Sequence, residues 1–209
     1  MSAVIIDGLA IANSNSEFVE NAKNILIKAG FEVDVYQGND VTISLLMNIR
    51  KYNVLILRVH SAIDPTDKFL YLFSTEKYNP NRYIFERFTG VVKVAYPLFR
   101  NDELYFVLRA DLLGYSSTKE FNNSNIIIMG CNVTDSKLTI IKLFEKGFKN
   151  IIGWDGYVDL AYSDKITLIL LKTVYEDKID FPEAVEKIMN EYNADPVWKS
   201  RLKCLTKNS

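Results

Sequence analysis

The spacing of hydrophobic and polar positions predicts that the chain opens with a strand followed by a helix. A short apolar run at residues 4–6 has the length and composition of a buried strand. Apolar residues then recur at intervals of three and four over residues 18–29, after Asn15 or Ser16, either of which suits a helix N-cap. The first thirty residues therefore predict an amphipathic helix packed on a strand.

The next thirty residues continue this order. Residues 31–36 alternate between apolar and polar side chains, which is typical of a strand at the edge of a sheet. A short helix is predicted after Asp40 or Thr42, and the unbroken apolar run at 54–59 predicts a strand that is buried on both faces. Strand, helix, strand, helix, strand is the order of a doubly wound parallel sheet.

The pattern changes between residues 62 and 122. Short apolar runs at 69–73, 91–96 and 104–108 are separated by polar turns and predict β-hairpins. A helix is predicted near residues 81–88. We interpret the segment 62–122 as a β-rich insertion in the α/β domain.

Regular α/β order resumes after the insertion. The predicted elements are a strand at 125–130, a helix capped by Thr134 or Asp135, a strand at 150–154, a loop at 155–164, a helix at 166–174, a helix with Pro182 in its first turn, and a last helix or edge strand beyond Pro196. The whole pattern predicts one domain over residues 1–209. Its expected fold is an α/β three-layer α/β/α sandwich with a mostly parallel sheet and a small β-hairpin insertion.

Composition narrows the class of protein. Of the 209 residues, 48% are hydrophobic and 24% are charged, and the formal net charge is −1. The near-neutral charge argues against a large nucleic-acid-binding surface, and no apolar stretch has the length needed to span a bilayer. Neither nucleic acid nor a membrane is therefore a predicted partner. The N-terminus lacks the pattern of a signal peptide, so a cytoplasmic location is expected.

Two residues with chemical potential follow two of the predicted buried strands. His60, the only histidine, ends the run at 54–59, and Cys131 follows the run at 125–130. Because the carboxyl ends of parallel strands lie at one edge of a sheet, these side chains are expected to meet there. A histidine that removes the thiol proton turns a cysteine into a nucleophile. Cys204, in a Lys-rich tail, is predicted to be inert, and both thiols are expected to be free.

Backbone groups around this pair are suited to binding an oxyanion. Gly130 allows close approach of the backbone, and the amide of Cys131 lies at a strand-to-helix turn where it can donate a hydrogen bond. The amide of Ser61 or Ala62 is a candidate for the second donor. Ser61, Gly130 and Cys131 are therefore the predicted oxyanion-binding backbone.

With these residues the sequence resembles the caspase–haemoglobinase class of cysteine peptidases, clan CD, which includes caspases, legumain, gingipains, clostripain, separase and CHAT domains. Their shared frame is a strand ending in His-Gly, a later strand ending in a small residue and Cys, then a helix and another strand. The matching stretches here are Val54–Ser61, Ile126–Cys131 and Leu138–Asp159. The end of the third stretch, Trp-Asp-Gly-Tyr-Val-Asp, loosely echoes the Trp-x-Val-x-Asp motif of the CHAT and separase members.

The resemblance implies a caspase-like fold and a cysteine endopeptidase. His60 would be the general acid/base, and Cys131 the nucleophile that forms an acyl-enzyme with a peptide or protein substrate. One position departs from the pattern, because Ser61 follows the histidine where the class has glycine. That departure leaves a catalytically inactive relative as an alternative.

The resemblance also implies where the primary specificity pocket lies, between the segment after the first strand and the loop after the Trp strand. This chain offers Asp7, Asp155 and Asp159 there, together with Trp154. Acidic residues in that pocket favour an Arg or Lys side chain on the substrate, through a charge-assisted pair. Asp159 is equally suited to cap the helix that follows it.

Other interpretations of the cysteine and histidine agree less well with the sequence. In class I glutamine amidotransferases the histidine follows the nucleophile, whereas His60 precedes Cys131. Neither a glycine-rich dinucleotide motif nor a P-loop is present, and one histidine with two distant cysteines does not make a zinc site. No cofactor and no metal are therefore predicted. The remaining alternative is a non-enzymatic caspase-like or flavodoxin-like domain that binds a protein partner.

Overall fold

The computed structural model describes residues 1–50, 52–97, 103–115 and 121–207. Its regular elements, in chain order, are β1 (Ser2–Asp7), α1 (Ser16–Lys28), β2 (Glu32–Gln37), α2 (Ile43–Asn48), β3 (Val54–Arg58), β4 (Ser61–Ile63), β5 (Leu70–Lys77), α3 (Ile84–Phe88), β6 (Val92–Ala95), β7 (Tyr105–Arg109), β8 (Ser124–Ile128), α4 (Lys137–Glu145), β9 (Phe148–Trp154), α5 (Leu160–Tyr175), α6 (Phe181–Glu191) and β10 (Leu202–Thr206).

The larger sheet has six strands in the order β10-β9-β8-β3-β1-β2. Neighbouring strands are parallel except for β10, which runs antiparallel to β9. The side chains of β3 are all buried, because other elements cover both faces of the sheet. β2 lies at the edge with mostly half-buried side chains, so the edge strand predicted from its alternation is confirmed.

Two apolar cores lie on the two faces of this sheet. Alternate residues of β1 contribute to them, with Ile5 in one core and Ile6 in the other. One core is covered by α1, α5 and α6, and the other by α2, α4 and the smaller sheet. The predicted α/β class and mostly parallel sheet are confirmed, and the layering is compatible with a three-layer sandwich.

The segment after His60 forms a separate sheet of four antiparallel strands, in the order β4-β5-β7-β6. The predicted β-hairpins are therefore present, and α3 lies in the region where a helix is predicted. The first strand begins at Ser61, and the Phe73 amide donates to the His60 carbonyl at 3.0 Å. This second sheet is thus joined directly to the predicted base. Residues 98–102 and 116–120 of the predicted insertion lie outside the described residues.

Capping side chains explain where most helices begin. Asn15 and Thr42 cap α1 and α2 as predicted, and Asp180 caps α6 beside Pro182. The predicted start of α4, after Cys131, is wrong. For α5, after β9, the predicted loop is too long, but the alternative role of Asp159 as a helix cap is confirmed.

The helix α4 begins at Lys137 with Ser136 as its cap, instead of after Thr134 or Asp135. A 3₁₀ turn at Val133–Asp135 precedes it, because Val133 is buried against Gly153, where an added Cβ would lie 2.4 Å from its Cγ1. The helix α5 begins at Leu160, before the end of the loop predicted at 155–164. Asp159 accepts from the Tyr162 amide as its cap, as its alternative role predicts.

A search of the described residues finds no helix that is both long enough and apolar enough to cross a membrane.

Candidate active site

The strands β3 and β8 bring His60 and Cys131 to the same level of the sheet edge. They are neighbours, and their paired residues advance together from Val54 and Asn125 to Leu57 and Ile128. The Met129 amide extends the ladder by donating to the Leu57 carbonyl at 2.8 Å. His60 lies three residues after Leu57, and Cys131 lies three residues after Ile128.

His60 and Cys131 line one cavity of 320 Å³, which we call the thiol cavity. The strand ends form its floor, and its walls come from the smaller sheet and from the segments that follow β9 and precede β10. Its other lining residues are Ser61, Ala62, Ile63, Phe73, Tyr96, Asn132, Tyr157, Val158 and Trp198. The predicted pair is therefore brought together at one cavity.

A second cavity of 200 Å³ lies on the other side of His60. His60 and Phe73 line both cavities, and their rings meet edge to face with centroids 6.1 Å apart. The remaining walls of the second cavity come from the segment after β1, including Gly8 and Leu9, and from the smaller sheet, including Thr75. His60 thus stands between two cavities, of which only the thiol cavity is also lined by Cys131.

Gly130 and Ser61 fit against one another directly beside the thiol. A Cβ on Gly130 would lie 2.2 Å from Ser61 Oγ and 2.9 Å from the Val59 carbonyl oxygen, so the absence of a side chain is required there. The Ser61 hydroxyl donates to the Cys131 carbonyl at 2.7 Å, which joins the residue after His60 to Cys131. The predicted oxyanion role of the Ser61 and Cys131 amides stays a prediction.

The Cys131 thiol is half-buried in the wall of the cavity. Burial raises its pKa, the backbone N–H of Val158 donates to the sulfur and lowers it, and the negative charge of Asp195 raises it again. The net pKa lies above the ordinary value, so the resting thiol is protonated at neutral pH. Nucleophilic attack at this sulfur then needs a base to take the proton, and His60 is the histidine of the cavity.

Cys204 lies apart from this site. It is in the edge strand β10, opposite Ile152 of β9. Burial raises the pKa of its thiol to about 12, and it does not line the thiol cavity. A thiol in this state is a poor nucleophile, which agrees with its predicted inertness.

Asp7 is enclosed in a buried network with Arg58, Asp164 and Asn15, which we call the arginine network. Arg58 donates through Nη1 to Asp7 Oδ1 at 2.8 Å and through Nε to Asp164 Oδ1 at 2.8 Å. The Arg58 and Asp7 side chains are each 1% exposed. Asp7 was predicted to receive a basic substrate side chain, but the guanidinium of the chain itself takes that position, because Arg58 lies on the adjacent strand opposite Asp7.

The other predicted substrate-binding residues also have partners within the fold. Asp155 pairs with Lys203 at 2.9 Å and accepts from the Arg201 amide, and Asp159 caps α5. The Trp154 ring is fully buried in the core, where its Nε1 donates to Ser163 at 3.1 Å. None of these residues lines the thiol cavity.

Three residues of the site were missed by the sequence interpretation. Tyr157 and Trp198 line the thiol cavity, and Asp195 lies fully buried behind them. The only signal for Asp195 was its position before Pro196 in a polar segment, which is common in turns. Trp198 lies far along the chain from the predicted dyad, and contacts between distant segments, among them the pairing of β10 with β9, bring it to the cavity.

Among the described residues, no group of three or more His, Cys, Asp or Glu side chains is placed to hold a metal ion. Comparison with protein-family models and with curated proteins returned no match to this chain. The geometry of the thiol cavity is therefore the basis for assigning a function.

Proposed function

We propose that the protein is a cysteine peptidase in which His60 and Cys131 form a catalytic dyad. The observation that carries the proposal is that the two residues closely follow the ends of neighbouring parallel strands and line one cavity. Strand ends hold side chains rigidly, while the loops beyond them leave room for a substrate.

The chemistry needs no group beyond the chain, a peptide and water. His60 takes the thiol proton as Cys131 Sγ attacks the scissile carbonyl carbon, which forms a C–S bond and an oxyanion. The C–N bond then breaks, and the imidazolium gives its proton to the leaving amine. Water, deprotonated by His60, hydrolyses the thioester and returns the thiol. The amides of Ser61 and Cys131 are the proposed donors to the oxyanion.

The order of elements supports a caspase-like arrangement for this proposal. A strand that leads to the histidine, a later parallel strand that leads to the cysteine, the helix α4 and the strand β9 with its following loop occur in the order of the clan CD frame. Gly130 supplies the small residue before the cysteine. Ser61 departs from the glycine of that frame, and its hydroxyl is engaged with the Cys131 carbonyl.

The proposal is tested by covalent labelling and by turnover of fluorogenic peptides. A peptidyl electrophile at neutral pH is expected to modify Cys131 and to leave Cys204 unmodified, as read by mass spectrometry of the intact protein and its peptides. Cys131→Ala is expected to abolish labelling and turnover, and Cys204→Ala is the matched control that retains both. Equal modification of the two thiols would contradict the dyad.

A second candidate function is favoured by the protonated state of the thiol. Burial raises the pKa of Cys131, which is the state of a structural cysteine more than of a preformed thiolate. In that case the thiol cavity belongs to a caspase-like module that binds a protein segment without cleaving it. Folded wild-type protein that binds peptides but turns over none of a panel with Arg, Lys, Asn, Asp, Phe and Leu at the cleaved position would favour this candidate.

A further inference from the structure

One wall of the thiol cavity is an aromatic pair, Tyr157 and Trp198, which we call the aromatic wall. The ring centroids are 5.4 Å apart at an angle of 49°. Each side chain remains 44% exposed, although both rings are large and apolar. Exposed aromatic faces at a cavity are typical of surfaces that bind a ligand.

The aromatic wall is held in place by a buried carboxylate. Asp195 Oδ1 accepts from the amides of Val197 at 2.9 Å and Trp198 at 2.6 Å, while Oδ2 accepts from the Asp159 amide at 2.9 Å. The segment that carries Trp198 is thus fastened to the N-terminus of α5. The Ser200 hydroxyl adds a bond to the Tyr157 carbonyl. A wall fastened in this way is organised before a ligand arrives, which lowers the entropic cost of binding.

The aromatic wall lies next to the sulfur. Val158, which follows Tyr157, donates its backbone N–H to Cys131 Sγ, and the Asn132 amide donates to the Gly156 carbonyl at 2.9 Å. In an acyl-enzyme the carbonyl carbon is bonded to Cys131 Sγ. The residue that bears this carbonyl therefore stays beside the wall, whereas the amine leaves on the side of His60.

The charges around the thiol cavity disfavour a charged side chain on the substrate residue whose carbonyl is attacked. Among its described lining residues there is no Asp, Glu, Lys or Arg. The nearby carboxylates of Asp155, Asp159 and Asp195 are already bonded within the fold. A charged substrate side chain would therefore lose water there without gaining an oppositely charged lining residue, which is unfavourable. Other lining residues of the cavity, such as Ile63 and Phe73, are apolar.

From this geometry we infer that the thiol cavity accepts an aromatic or large aliphatic side chain on the residue whose carbonyl is attacked. Tyr157 and Trp198 are the specificity-determining residues, and Asp195 positions them. This inference rests on the proposed peptidase function, and it replaces the basic preference predicted from Asp7, Asp155 and Asp159.

The test compares peptidyl acyloxymethyl ketones that differ only in the residue before the ketone, which is Phe, Leu, Arg or Asp. We expect Cys131 to react about tenfold or more faster with the Phe and Leu compounds than with the Arg and Asp compounds. The second-order rate constant of Cys131 modification is followed by mass spectrometry. Arg or Asp compounds that react as fast as the Phe compound would overturn the inference while leaving the dyad standing.

Variants of the aromatic wall separate specificity from folding. Trp198→Ala is expected to slow the Phe compound about tenfold and to leave the reaction with iodoacetamide, which has no side chain to recognise, unchanged. Trp198→Phe is expected to retain most of the preference. Phe88→Ala is the matched control, because Phe88 is an aromatic residue 90% exposed on α3 that lines neither cavity. A Trp198→Ala protein that loses reactivity with all compounds equally would contradict a specificity role.

Asp195→Asn tests the positioning role. We expect it to reduce the ratio of Phe to Arg reactivity and to increase acrylamide quenching of tryptophan fluorescence, since Trp198 is the exposed member of two tryptophans and Trp154 is buried. An unchanged reactivity ratio would remove Asp195 from the inference. Absence of Cys131 modification by every peptidyl compound, in a folded protein, would instead count against the proposed function itself.

Discussion

The arginine network and the thiol cavity lie at the same edge of the larger sheet, and they differ in whether solvent reaches them. Arg58 is 1% exposed and is bonded to two carboxylates, whereas His60, two residues further along, lines an open cavity with Cys131. Both clusters stand where ligands commonly bind in parallel sheets. The first is closed by its own guanidinium, and only the second leaves room for a substrate.

This contrast shows why acidic residues at a strand end are weak evidence for a cation-binding pocket. The Asp7 carboxylate has the location expected of a substrate-binding group, but Arg58 on the adjacent strand occupies it. Asp195 is equally buried, yet its carboxylate accepts from backbone amides and forms no ion pair with a guanidinium among the described residues. The Asp7 carboxylate therefore stabilises the sheet, whereas the Asp195 carboxylate orients a loop at the thiol cavity.

The largest effect is expected from removing the guanidinium of the arginine network. Arg58→Met leaves Asp7 and Asp164 buried without their cation, and we expect it to lower the free energy of unfolding by about 3–5 kcal/mol. Urea denaturation followed by circular dichroism measures the change. The matched control is Arg50→Met, since Arg50 pairs with Asp34 while its side chain is 76% exposed, and it is expected to leave the free energy of unfolding nearly unchanged.

Similar losses of unfolding free energy for Arg58→Met and Arg50→Met would mean that water reaches the arginine network. The arginine network would then not be a closed cluster, and its contrast with the open thiol cavity would be contradicted.

A smaller loss of unfolding free energy is expected from a substitution beside the thiol cavity. Gly130→Ala places a Cβ against Ser61 and the Val59 carbonyl, and we expect a loss of about 1–3 kcal/mol in unfolding free energy. Adding Ser61→Gly to Gly130→Ala should recover part of that loss, because the contact with the Val59 carbonyl remains. The four proteins of this double-mutant cycle are compared by urea denaturation. Strictly additive losses would show that the two positions are not in contact.

The pH dependence of the two thiols tests how far the protein environment of the thiol cavity differs from that of the edge strand β10, without a change in stability. Because burial holds the pKa of Cys131 above its ordinary value, iodoacetamide modification of Cys204→Ala protein should accelerate steadily from pH 6 to pH 9 as the thiolate population grows. Cys131→Ala protein should react far more slowly over this range, since burial raises the pKa of Cys204 to about 12. A plateau of Cys131 reactivity below pH 7 would indicate a resting thiolate and contradict this expectation.

Local patterns predicted most elements of the larger sheet and its helices. Buried strands are nearly continuous apolar runs, and caps such as Asn15 and Thr42 mark helix starts because their side chains satisfy local backbone donors. The start of α4 was misjudged for a different reason. Val133 packs on Gly153, so a contact between distant segments shifts this boundary.

In the candidate site, too, some residues could be predicted from local sequence and others could not. His60 and Cys131 could be predicted because each directly follows an apolar run, and parallel strands bring such positions to one edge. The roles of Asp7 and Trp154 could not, since residue type does not reveal that Arg58 occupies the first or that the second is enclosed in the core. Nothing in the local sequence around Trp198 indicated its place beside Cys131.

The sequence by itself determined the α/β order, the edge position of β2, the β-rich segment after His60 and the location of one histidine and one cysteine at the same edge of the sheet. These follow from periodicity and from side chains that act within a few residues of their own position. The tertiary structure alone decided which carboxylates are closed off and which aromatic rings face the thiol. Those properties depend on contacts between β1 and β3 and between the segments around β9 and β10, and burial and charge compensation arise only when such distant segments pack together.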